Sequence, residues 1–80
     1  MTKFKLKSIR ILENHSVLYE VVEVLNSAIL EHVVKVTRPY YDSDLTDYTT
    51  YSVHSNRCPY DITKQLVIFT MLNSQILFIN

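Results

Sequence analysis

Apolar and polar residues alternate from the start of the chain. Across residues 3–12, Lys3, Lys5 and Lys7 fall on one side and Phe4 and Leu6 on the other. Period two marks a half-buried strand, because successive side chains point to opposite faces. The alternation slips near Ser8, where Ile9 and Ile11 take the opposite parity. A bulge or a local twist at that point accounts for the slip.

Residues 16–36 carry two patterns at once. Ser16, Glu20, Glu23, Ser27, Glu31 and Lys35 recur every three or four residues, while Leu18, Val22, Leu25, Ile29, Val33 and Val36 collect on the opposite face. That spacing predicts an amphipathic helix. Acids near the start (Glu20, Glu23) and bases near the end (Lys35, Arg38) suit the helix dipole. Glu31 and Lys35 form a correctly oriented i,i+4 pair, and Pro39 lies just beyond a natural stop. Yet the segment is dense in β-branched residues, Val17, Val21, Val22, Val24, Ile29, Val33, Val34 and Val36, which favour strands. A hairpin turning at Asn26-Ser27 is therefore the alternative. It gathers Val17, Tyr19, Val21, Leu25, Leu30, Val34 and Val36 on one face, but it brings Glu23 and His32 there too. Burying those polar groups counts against the hairpin.

Residues 39–47 are rich in turn formers and read as an exposed loop. Residues 48–54, rich in Thr and Tyr, predict a strand, and residues 55–61, with Asn56 and Pro59, a second loop. Residues 64–72 and 75–79 flank Asn73-Ser74 and predict a C-terminal hairpin of buried strands. A helix opening with Asp61 as N-cap competes with it. Residues 24–30 and 70–77 echo one another, which favours two similar hairpins if the echo is structural; a single echo does not make a repeat protein. Together these elements predict one α+β domain, an antiparallel sheet of about four strands with one helix packed on a face. A mainly antiparallel β meander is the runner-up.

Composition narrows the functions. Hydrophobic residues make up 48% of the 80 and charged residues 20%, which belongs to a folded chain and not a disordered one. Acids and bases balance at eight each. Proteins that coat nucleic acid usually carry a positive excess, so any such contact here is local. The complete lack of glycine excludes the dinucleotide fingerprint and the P-loop. It also leaves positive-φ positions to Asn, Asp or Ser. Cys58 is the lone cysteine, and the chain's start, with Lys3, Lys5 and Lys7, lacks the apolar run of a signal peptide. Both point to a reducing, cytoplasmic setting. There the Asn14-His15-Ser16 acceptor pattern carries no meaning. The most apolar stretch, residues 66–79, is interrupted by Thr70, Asn73, Ser74 and Gln75, and its fourteen residues are too few to span a bilayer.

Candidate chemistry is sparse. His54 and Cys58, four apart, suggest a thiolate–imidazole pair or two metal ligands. No third orienting group or second ligand pair accompanies them. Asp42, Asp44 and Asp47 resemble a fragment of a calcium loop, without its glycine and with Val53 where the bidentate Glu would stand. The expectation is no enzyme, no metal and no cofactor. Lys3, Lys5, Lys7 and Arg10 form a basic stripe suited to phosphates or to protecting an exposed edge. The richest feature is residues 39–51, where Tyr40, Tyr41, Tyr48 and Tyr51 stand among Asp42, Asp44 and Asp47 with no basic residue. Tyrosine supplies large, rigid contact area and acids steer a basic partner. These residues predict a non-enzymatic protein-binding module. Small motif-free chains of this sort are common among phage- or mobile-element-encoded inhibitors. Nucleic-acid binding through the lysine stripe, and a homo-oligomeric subunit burying its C-terminal strand, are the alternatives.

Overall fold

The central strand, Ser16–Leu25, is paired on both sides from Ser16 to Val24. In the computed structural model, which describes residues 3–12 and 15–77, strands β1 (Lys3–Leu12), β2 (Ser16–Leu25), β3 (Ala28–Thr37) and β4 (Ser52–Ser55) form one antiparallel sheet in sequence order. A single helix, α1 (Tyr60–Leu77), packs on one face. Short 3-10 turns occupy Asp42–Asp44 and Tyr48–Thr50 in the connection between β3 and β4. The fold is α+β, a four-stranded antiparallel sheet with one helix.

The helix and one hairpin have exchanged places relative to the sequence pattern. Residues 16–36, expected as a helix, are the β2–β3 hairpin, turning at Asn26 and Ser27. Asn26 takes φ 55, the left-handed conformation that asparagine tolerates best in a chain without glycine. Glu23 and His32, the two polar groups that argued against the hairpin, answer each other: His32 Nε2 lies 2.8 Å from Glu23 Oε1. His32 is buried, and the ring of Phe4 sits 6.1 Å from its own. The remaining charges, Glu20, Glu31 and Lys35, lie on the other face, as period two also allows.

Residues 64–72 and 75–77, expected as strands of a hairpin, lie in α1, so the competing helix near Asp61 is the one that forms. The carbonyl of Pro59 accepts the amides of Ile62 and Thr63, which starts the helix. Asp61 falls in the first turn, where the dipole favours an acid. The buried stripe runs Thr63, Val67, Thr70, with Ile62, Leu66 and Met71 beside it. Two of those six positions are threonines, which blurs the helical period. Both satisfy themselves locally: Thr63 donates to the Tyr60 carbonyl and Thr70 to the Leu66 carbonyl. Asn73 does not end the helix, because its side chain donates to the Phe69 carbonyl. The residue echo therefore joins a hairpin turn to a helix and repeats no structure. A homo-oligomer built on a C-terminal strand loses that strand. Residues 78–79 of the expected hairpin, and Asn14 of the acceptor pattern, lie outside the described residues.

The slip in β1 is a bulge. Leu6 pairs with Val21 and Ser8 with Glu20, so Lys7 is the extra residue. Phe4, Leu6, Ile9 and Ile11 then all stand opposite odd-numbered β2 residues, on the face that α1 covers. The core forms between that face and the helix, from Val17, Tyr19, Val21, Val34, Val36, Tyr51 and Val67. Val17, Val34 and Val36 are fully buried and each contributes about 1.5–3 kcal/mol over its exposed state. Tyr19 reaches from β2 to Thr70 of α1 by its hydroxyl. Thr70 gives its own proton to Leu66, so Tyr19 is the donor. Burial raises the Tyr19 phenol above its ordinary pKa. Among the described residues no helix is long and apolar enough to cross a membrane.

Candidate functional site

The tyrosine- and aspartate-bearing connection folds against one end of the sheet. β3 delivers Arg38 beside the β1–β2 turn, where the Arg38 amide donates to the His15 carbonyl at 2.9 Å and Arg38 Nε donates to His15 Nδ1 at 2.7 Å. His15 holds φ 64, an unusual value that histidine accepts more readily than most residues. The ring of Tyr40 meets His15 edge-on at 6.4 Å, and Tyr41 meets Tyr40 edge-on at 5.5 Å. Tyr40 and Tyr41 remain 83% and 67% exposed. Two phenols in edge-to-face contact thus stand in solvent on a braced base.

The rest of the expected set divides. Tyr51 belongs to the core, 7% exposed, and donates its hydroxyl to the Leu45 carbonyl, so it is not a surface contact. Asp47 caps the second 3-10 turn, accepting from Thr49 N at 3.0 Å and Thr49 Oγ1 at 2.7 Å. Those bonds hold its carboxyl below the usual range. Asp44 is half-buried, and its carbonyl accepts from Asp47 N and Thr50 Oγ1. Asp42 begins the first 3-10 turn. Tyr48 is set apart from Tyr40 and Tyr41, with Lys64 Nζ of α1 lying 5.5 Å from its ring centre. The acidic stretch has no base of its own in sequence, yet Arg38 and Lys64 approach it at its two ends.

A cleft of about 470 Å³ opens between β4, the Tyr48–Thr50 turn and the first half of α1. Tyr48, Tyr51 and Tyr60 wall it with Val53 and Val67; Thr49, Ser55, Cys58, Thr63 and Lys64 add polar atoms. The sequence pattern missed it because it needs α1, whose first turns bring Tyr60 and Lys64, four apart, onto one face beside β4. Their spacing after a helix opening near Asp61 was the available signal.

Val53 and Ser55 line the cleft, so the intervening His54, paired with Lys35, points to the opposite face of the sheet. Cys58 packs on the helix side. The sheet therefore separates the two residues that sequence spacing had joined. Burial, then the charge of Glu23, pushes the Cys58 thiol above its ordinary pKa. Among the described residues no three His, Cys, Asp or Glu side chains gather to hold a metal.

The basic stripe lies on the helix-free face. Lys3, Lys5 and Arg10 pair with Val24, Val22 and Leu18, all on that side of β2. Lys7, at the bulge, donates to Glu31 of β3 at 3.0 Å, and that bond raises its pKa. Ser8 donates to Glu20 at 2.7 Å. Acids are thus set among the bases. No family model matches the chain, and no curated protein or solved structure is similar to it.

Proposed function

We propose that this protein is a non-enzymatic protein-binding module that engages its partner through Tyr40 and Tyr41. The observation that carries the proposal is the exposure of two tyrosines in edge-to-face contact, 83% and 67%, on a segment fixed by the Arg38–His15 bonds. Large aromatic area that is already ordered loses little entropy on binding, which is what an interface hot spot requires. Asp44 supplies a nearby acid for a basic partner surface. The separation of His54 from Cys58 and the raised Cys58 thiol support a role without covalent chemistry. Such a module acts by occluding the surface it covers, as an inhibitor does.

The test is affinity capture from a lysate of the source cell with mass-spectrometric identification. Tyr40→Ala, Tyr41→Ala or Asp44→Lys should abolish capture of the identified protein while leaving the melting temperature unchanged. Normal capture by all three variants rejects this surface. Nucleic-acid binding is the second function supported by a particular observation: Lys3, Lys5, Lys7 and Arg10 share the helix-free face with Lys35.

A further inference from the structure

We infer that the cleft between β4 and α1 binds a small aromatic anion, its ring among the tyrosines and its acid group on Lys64. The volume of about 470 Å³ falls within the range of small-ligand sites. Tyr48 and Tyr60 offer accessible ring surface, 43% and 70% exposed, against the buried floor of Tyr51. Stacking on such rings selects a planar group. Lys64 fixes the sign of the charge. Its ammonium leans over the Tyr48 ring at 5.5 Å and makes no ion pair among the described residues. No Asp or Glu is among the described residues that line the cleft; Glu23, whose charge reaches the Cys58 thiol, is bonded to His32. An anion entering here meets one cation, Lys64, and no carboxylate on the wall; the Thr49 and Thr63 hydroxyls give their protons to Asp47 and to the Tyr60 carbonyl. A neutral ligand gains only the stacking, and a cation meets Lys64 directly. The Tyr40–Tyr41 pair takes no part in the cleft, so this site is independent of the proposed partner surface.

The shared chemistry, a ring bearing a carboxylate or a phosphate, is tested with one probe of each kind. The isotope-labelled protein is titrated with indole-3-acetate and with AMP, and each is matched to its neutral counterpart, indole-3-acetamide or adenosine. At least one anion should give saturable amide shifts at Thr49, Thr63 and Lys64. Its neutral counterpart should bind roughly tenfold more weakly or worse, the usual loss when a charged hydrogen bond is removed. Lys64→Met should show the same loss and Lys64→Arg should retain binding. Lys64 is exposed, so both variants should keep the wild-type circular dichroism spectrum. A response to indole-3-acetate alone assigns a carboxylate, and a response to AMP alone assigns a phosphate. No saturable response to either anion overturns the inference, as does equal binding of the neutral compounds or by Lys64→Met. Tyr40→Ala should leave the titrations unchanged, which separates this outcome from that of partner capture.

Discussion

His32 and Glu23 show how two unfavourable residues become a favourable pair. Taken singly, a charged and a polar side chain on a buried face argue against that face. Taken together, diagonal across β2 and β3 two register positions apart, they share a 2.8 Å bond. Position alone does not disclose this, because the benefit exists only once the strands are paired. Removing one partner leaves the other buried and unsatisfied. Glu23→Leu or His32→Leu should each cost about 1–3 kcal/mol in denaturant unfolding. The double variant should cost clearly less than the sum of the two. Additive losses would mean that the pair contributes nothing as a pair. The remaining ring nitrogen, His32 Nδ1, is buried with no hydrogen-bond partner among the described residues, which makes an apolar replacement easier to accept.

At the scale of elements, β1 was legible and α1 was not. The parity change from Leu6 to Ile9 is a mismatch that only an extra residue repairs, and the register places that residue at Lys7. Deleting Lys7 should therefore leave Phe4, Leu6, Ile9 and Ile11 on the core face in an unbroken ladder. Only the exposed ion pair with Glu31 is lost, so stability should stay within about 1 kcal/mol of wild type. One alanine inserted between Tyr19 and Glu20 makes the contrast: it sends half of β2 to the wrong face and should abolish the cooperative melting transition. A large loss from the Lys7 deletion would show that the bulge itself shapes the sheet. In α1, the threonines at 63 and 70 and the asparagine at 73 spend their hydrogen bonds on carbonyls of the same helix. Read along the sequence they interrupt an apolar stripe and mimic a turn. The β-branched residues around them then point to strands, although packing against Tyr19 decides otherwise. The Tyr40–Tyr41 surface was legible from composition, whereas the cleft on Lys64 required the helix first.

The whole molecule divides its labour between two sheet faces. One is roofed by α1 and carries the apolar core; the other carries Lys3, Lys5, Lys7, Arg10 and Lys35 with Glu20 and Glu31 between them. A formal net charge of zero for the chain therefore conceals a basic face. If that face meets phosphates, the protein should be retained on a heparin or DNA column and released steeply as salt rises. Lys3→Glu with Lys5→Glu should elute earlier. Flow-through of the wild type at low salt would leave those lysines as guards of the exposed β1 edge.

Strand order in space repeats strand order along the chain, so each pairing joins consecutive segments, with short turns on either side of β2 and a longer connection, residues 38–51, before β4. Helix docking differs, since Tyr19 and Thr70 stand 51 positions apart. A nascent polypeptide released as far as Pro59 holds all four strands but none of the roof, and its widest apolar surface stays wet until α1 supplies Val67 and Thr70.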